Sequence, residues 1–369
     1  MALTTSTAAE LTAALIAIDS VNPSLVPGGA GESEIAAFIA GWAREAGLDA
    51  DVLEETQGRP SVVVRARGTG GGRTLMLCGH VDTVTVEGMT HAPFAPRVDG
   101  DRLYGRGAYD MKAGVAAALV ACRDAAALGL AGDVVVAAVA DEEHASLGVQ
   151  EVLRSVSADA AIVTEPTESR VAAAHKGFVW IEVDVPGRAA HGSRPQLGDD
   201  AIVKVGPMLT GLGALDEALG TREHPLLGRG SVHASEIAGG QELSSYPARC
   251  TLSLERRTLP GESAAGVEAE IAALLPTGAA QRTLLVREPF KVDAGEEVVA
   301  LLCEATPGDP DVVGVSYWAD AAFIAAAGIP TALYGPGGEG AHAAAEWVSI
   351  AETNAVARTL TAVAERFCA

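Results

Sequence analysis

The chain has 369 residues, 26 Lys and Arg against 48 Asp and Glu, a formal net charge of −22 and 49% hydrophobic residues. That length allows two domains, or one large one, with a full core. The acidity excludes a nucleic-acid footprint and an anionic membrane surface, so an anionic substrate needs a local cationic pocket. The start, "MALTTSTAAELTAALIAIDSV", lacks a positive n-region, so no signal peptide is expected. No apolar run approaches transmembrane length, since "GVAAALVAC" stops at Arg123. Cys78, Cys122, Cys250, Cys303 and Cys368 are scattered, odd in number and form no C-x-x-C pair. They read as reduced thiols of a cytoplasmic protein.

In chain order, residues 7–18 and 32–47 carry amphipathic helical patterns, the second stopping at Gly47. "SVVVRA" and "RTLMLCGH" predict strands, the latter continuously apolar and therefore central. "MKAGVAAALVACRDAAALG" predicts a small-residue helix with a glycine stop; "GDVVVAAVADEE" and "AAIVTEPT" predict two further buried strands. Unalternating apolar strands between helices imply a parallel or mixed sheet sandwiched by helices, with ligands outside the carboxyl ends of its strands. After Lys176-Gly177 the pattern changes. "FVWIEVDV" alternates, with Phe178 and Trp180 on one face, and a helix, two strands ("SVHASEIAG", "ARCTLSLERRT"), a helix and a strand ("RTLLVREP") follow. That βαββαβ order predicts a compact ferredoxin-like insert. From Val292 the α/β style resumes, closing with a helix over 351–367. The expected organisation is a catalytic domain over 1–177 and 290–369, interrupted by a second domain over 178–289.

Ligand-type residues stand at the ends of the predicted strands. His80 and Asp82 follow "LMLC", Asp141-Glu142-Glu143 ends another strand, and Glu165 precedes a proline in "IVTEPT". Asp110 lies in the glycine-rich "GRGAYDMKAG", and His342 in "YGPGGEGAHAAAEW". Imidazole with carboxylate suits zinc, with cobalt or manganese as substitutes. The ligand count suits two ions bridged by one carboxylate, a pair about 3.5–4 Å apart that polarises a carbonyl and activates water. One carboxylate must stay off the metal to move the proton, and adjacent Glu142 and Glu143 point in different directions. Each motif alone is weak: an isolated H-x-D is usually packing, a Glu-Glu pair a solvated loop, a turn histidine structural. Their joint placement at strand ends is what carries the reading.

Together, "GHVDTV", "GRGAYDMKAG", "DEE", "TEPT", "GRAAHGSRP", "RRTLPGE" and "GPGGEGAH" resemble, in order and over nearly the whole chain, the dinuclear zinc aminoacylase and carboxypeptidase family. That family includes deacetylases, desuccinylases and glutamate carboxypeptidases. The resemblance implies that His80, Asp110 and Glu165 bind one zinc, and that His342, Glu143 and the bridging Asp110 bind the other. It implies that Asp82 holds the ring of His80 and that Glu142 is the general base and acid. The insert then corresponds to a lid and dimerisation domain, whose His191 enters the partner subunit's site and stabilises the oxyanion. Arg257 would pair with a substrate carboxylate, while its strand neighbour Arg256 is expected on the surface of the opposite face. Two departures bear on the substrate: Ser244 stands where relatives often have Asn, and "AAAE" follows His342. His91, His144, His175, His224 and His233 read as structural or exposed, and Lys112 and Lys176 have no assigned role.

The expected function is hydrolysis of an N-acyl amino acid by a homodimeric, two-zinc amidohydrolase, with no nucleic-acid or membrane partner. Within the same chemistry the alternative is a dipeptidase or glutamate-carboxypeptidase-like metallopeptidase acting on short peptides. In another class stands a non-catalytic, metal-binding descendant.

Overall fold

The computed structural model describes residues 6–308 and 310–369; the first five residues, on which part of the leader-peptide reading rests, lie outside it. The chain divides into two compact units. The first runs to Ala173 and resumes over Val292–Val313 and Ala319–Ala369, and the second comprises Ala174–Lys291 and Gly314–Trp318. Where the chain leaves the first unit and returns, the Val292 N–H donates to the Ala173 carbonyl at 2.9 Å. In the second unit, Lys291 pairs with Ala174 and Phe290 with His175.

The first unit is built on a mixed sheet. In spatial order its strands are Asp49–Leu53, Ser61–Ala66, Val134–Val139, Leu75–His80, Ala160–Val163 and Thr331–Leu333. The first two pairings are antiparallel, and the last four strands run parallel. Leu75, Met76, Leu77 and Cys78 are all completely buried, as a parallel strand covered on both faces requires. Helices Ala8–Ile16, Ser33–Glu45, Ala113–Ala126 and Ile350–Phe367 pack with this sheet in one apolar core. The expected mixed α/β architecture is thus present. A small antiparallel sheet of Arg97–Asp99, Arg102–Tyr104, Trp347–Ser349 and Gly338–Glu339 was not expected from the sequence.

In the second unit, strand Gly177–Pro186, helix Ala201–Leu219, strands Ser231–Gly239 and Arg249–Thr258, helix Ala264–Ala272 and strand Ala280–Arg287 follow in that order. Their four-stranded antiparallel sheet has Ser231–Gly239 at one edge and Ala280–Arg287 at the other. Val179, Ile181, Val183 and Val185 fill its core, while Trp180 faces outward at 43% exposure.

Here the surface expectation for Arg256 is overturned. Strand alternation does put Arg256 and Arg257 on opposite faces, but Arg256 is the fully buried one, paired with Glu262 at 2.7 Å and Glu270 at 3.2 Å. Its face meets the helix Ala264–Ala272, which carries Glu270, so the guanidinium is neutralised inside the unit.

In the first unit the helix Ala113–Ala126 lies unusually close to the sheet. A Cβ on Gly114 would stand 1.9 Å from the carbonyl oxygen of Thr164, the residue before Glu165. Gly→Ala inside a helix ordinarily stabilises by about 1 kcal/mol. Gly114→Ala should instead destabilise the metal-free protein by about 1–3 kcal/mol through overpacking. Urea denaturation measures this, and a gain in stability would refute the close approach.

Candidate active site

Three of the four parallel strands deliver ligand-type side chains directly from their carboxyl ends. His80 closes Leu75–His80, Asp141, Glu142 and Glu143 follow Val134–Val139, and Glu165 follows Ala160–Val163. The fourth strand, Thr331–Leu333, leads into the glycine-rich turn that carries His342. His342 has φ of +58° and Gly340 +95°, left-handed conformations that the glycine-rich sequence eases.

These side chains converge. Nε2 of His80 lies 3.1 Å from Oδ1 of Asp110, 3.7 Å from Oε1 of Glu165 and 3.9 Å from Oε2 of Glu142. Nε2 of His342 lies 3.2 Å from Oδ2 of Asp110 and 3.1 Å from either oxygen of Glu143. Asp110 therefore stands between two imidazoles and turns one oxygen to each. His80, Glu142 and Glu165 form one group with ligand atoms within 4.8 Å of one another, and His80, Asp110 and Glu143 form a second. Two imidazoles among carboxylates fit borderline and hard divalent cations, and all the named side chains except His342 are buried or nearly so.

The electrostatics follow from that crowding. Burial first, then neighbouring carboxylates, push the Glu142 and Glu165 carboxyls well above their ordinary range, against the pull of His80. Burial, then Asp110, also raises Glu143. Burial disfavours a charged His80, yet hydrogen bonds from its ring to Asp110 and Asp82 hold its pKa well above 6.5. Asp110 and Glu143 raise His342 to about 10. Despite burial, His342 and His80 hold Asp110 well below its usual value.

Asp82 faces two ways. Nδ1 of His80 is 3.0 Å from the main-chain oxygen of Asp82 and 3.6 Å from its carboxylate. The carboxylate also accepts the main-chain N–H groups of Glu142, at 3.1 Å, and Glu143, at 3.2 Å. It thus frames the turn that presents both glutamates.

Glu346 is the glutamate of the "AAAE" run after His342. Its buried carboxylate accepts the N–H groups of Gly107, Tyr109 and Asp110 at 2.9–3.1 Å, and pairs with Arg106 at 2.8 Å. The turn bearing Asp110 is therefore held by the segment that follows His342. Sequence reasoning also missed Asn22 and Arg59, which bond Asp82 and Asp141 from behind. The only local signals were the turn dipeptide Asn22-Pro23 and an arginine before Pro60. Lys112 is fully buried and donates to the Ile18 carbonyl at 2.8 Å.

In the second unit His191 is exposed, with Nδ1 2.8 Å from the Ser193 hydroxyl. The His191–Ser245 bridge and the Gly192 N–H bond to the Ser244 carbonyl, at 2.7 Å, bring His191 and Ser244 together. Ser244 contributes its main chain to this contact, not its hydroxyl. Arg257 donates to Glu255 at 2.7 Å and lies over the Phe178 ring, 5.0 Å from its centroid.

A mixed sheet whose parallel strands end in imidazoles and carboxylates is the frame of a metal-dependent hydrolase of amide bonds. The chain belongs to peptidase family M20/M25/M40, whose profile matches residues 76–366. An acetylornithine deacetylase of Proteus mirabilis (strain HI4320) is 29% identical, over 97% of this chain and 96% of that protein. The N-formyl-4-amino-5-aminomethyl-2-methylpyrimidine deformylase of Bacillus subtilis (strain 168) is 29% identical over 86% of this chain and 85% of its own. Aminopeptidase PepT from Bacillus cereus ATCC 10987 shares the fold with a TM-score of 0.79 at 18% identity, over 98% of both chains.

The raised pKa values of His80 and His342 favour the protonated rings in the metal-free protein. A cation must displace those protons, so uptake should release protons and tighten as pH rises from about 6 to 8. Calorimetric zinc titrations in buffers of different ionisation enthalpy read the number released. Proton-neutral uptake would show that both rings are already neutral before the cation arrives.

Proposed function

We propose that this protein removes the acyl group from an N-acyl amino acid by metal-assisted hydrolysis of the amide. The observation that carries the reading is Asp110 set between His80 and His342, one oxygen toward each, with Glu142 beside them. His80, Asp110 and Glu165 would hold one zinc, and Asp110, Glu143 and His342 a second, with cobalt or manganese as substitutes. Divalent cations held by these ligands would supply the Lewis acidity that polarises an amide carbonyl and acidifies water.

Glu142 is the proposed base. Its buried carboxyl has a raised pKa, suited to taking a proton from water and returning it to the leaving nitrogen. His191 would donate to the oxyanion from the partner subunit, and Arg257 would pair with the substrate carboxylate, with Ser244 shaping the same region. The names of two relatives, a deacetylase and a deformylase, support acyl removal over peptide cleavage.

We also propose a homodimer joined through the second unit. Its helix Ala201–Leu219 leaves Ile202, Val203 and Leu209 exposed, and Ile237 is exposed on the edge strand Ser231–Gly239. An edge strand beside apolar surface favours pairing with a second copy. Among the described residues no helix is long and apolar enough to cross a membrane. A cytoplasmic location is proposed from the scattered cysteines alone.

Glu142→Ala should lower turnover roughly a hundred- to ten-thousand-fold while zinc content stays unchanged. Unchanged turnover would remove Glu142 as the base. On a panel of N-acyl amino acids and unblocked dipeptides, faster cleavage of the dipeptides would favour the peptidase reading. Mixing Glu142→Ala with His191→Ala subunits should restore about a quarter of native activity. Half the dimers are then mixed, each with one intact site. No recovery in the mixture would place His191 outside its neighbour's site.

A further inference from the structure

Asn22 lies behind the candidate ligands and is completely buried. Its main chain is fastened to the segment after Asp82: the Asn22 N–H donates to the Thr83 carbonyl at 2.8 Å, and the Thr83 N–H to Ser20 at 3.0 Å. The side-chain oxygen accepts the N–H of Ser24 at 2.9 Å. The side-chain nitrogen donates to Oδ2 of Asp82 at 2.7 Å and to Oδ1 of Asp141 at 3.1 Å. Turning the amide over would set its oxygen against two carboxylates and its NH2 against an N–H. Only one orientation is chemically tolerable.

Both amide protons are therefore spent on carboxylates at the ends of two adjacent parallel strands, and the Asp82 carboxylate and the Asp141 main chain frame one turn. Asp82 accepts the N–H groups of Glu142 and Glu143. The main-chain oxygen of Asp141 accepts from Ala145 at 3.1 Å, and Asp141 itself has φ of +67°. Arg59 pairs with Asp141 at 2.7 Å, its guanidinium fixed in turn by Glu32 at 2.6 and 2.8 Å.

We propose that Asn22 is a positioning residue for Glu142 and Glu143: by tying Asp82 to Asp141 it sets the turn that aims one glutamate at the metal centre and the other at the base position. This rests on the reading of Glu143 as a ligand and Glu142 as the base. Asn22 touches neither, and acts through the two aspartates.

Asn22→Ser keeps one donor where two are needed. The folded variant should bind Co2+ roughly tenfold more weakly, with an altered visible spectrum, as expected when an outer partner of a ligand is lost. In the metal-free variant the amides of Glu142 and Glu143 should exchange with deuterium faster than in the native protein. Native-like cobalt affinity, spectrum and exchange together overturn the proposal. Should the variant fail to fold, the native metal-free protein decides: Asn22 side-chain amide protons shielded from solvent exchange, with protected Glu142 and Glu143 amides, support the clamp, and Asn22 amide protons exchanging as fast as in an unstructured peptide overturn it. If the native chain takes up no Co2+, the metal reading fails, and the exchange comparison still decides the role of Asn22.

Discussion

Crowded negative charge is the constraint on which the rest of the first unit depends. Asp82, Asp110, Glu142, Glu143 and Glu165 share one largely buried edge of a sheet, where each would repel the others and none is well hydrated. The parallel strands create the crowding, because all of their carboxyl ends emerge on the same side. What offsets it is distributed around the site. Two imidazoles lie against Asp110, main-chain N–H groups point at Asp82 and Glu346, and Arg59 and Arg106 stand behind the turns. A site so arranged is matched to positive charge of the kind a divalent cation carries.

Much of that site is legible in the sequence, for a physical reason. A buried strand is a run of apolar residues, so a histidine or glutamate where the run stops is conspicuous, and glycine-rich turns mark where Asp110 and His342 leave regular structure. The supporting residues leave no such trace. Asn22 meets Asp82 across 60 positions and Asp141 across 119, and Glu346 reaches Asp110 across 236. Nothing local distinguishes a buried asparagine that bridges two strands from one that simply ends a helix. The small antiparallel sheet was equally hidden, since strands of two or three residues show no period.

Two side chains show how far alternation carries an argument. Along Arg249–Thr258 it correctly separates Arg256 from Arg257, but it does not say which face a helix will cover. Burial chose Arg256, and Glu262 and Glu270 make that burial tolerable. Asp82 teaches a similar lesson. Its spacing from His80 suggests a side-chain contact, but not that the same carboxylate, 3.6 Å from the ring, also holds the neighbouring turn.

The paired crossing points of the chain carry a wider consequence. Ala173 is bonded to Val292 on one side of the junction, and Ala174 to Lys291 on the other. The stretch from Ala174 to Lys291 is thus a hairpin whose stems are already zipped, and the length beyond them adds little to the entropy of closing it. Residues beyond those stems can therefore lengthen or shorten at little cost to closing the chain. Change in that stretch is limited less by the cost of closing the chain than by the work proposed for His191 and Arg257.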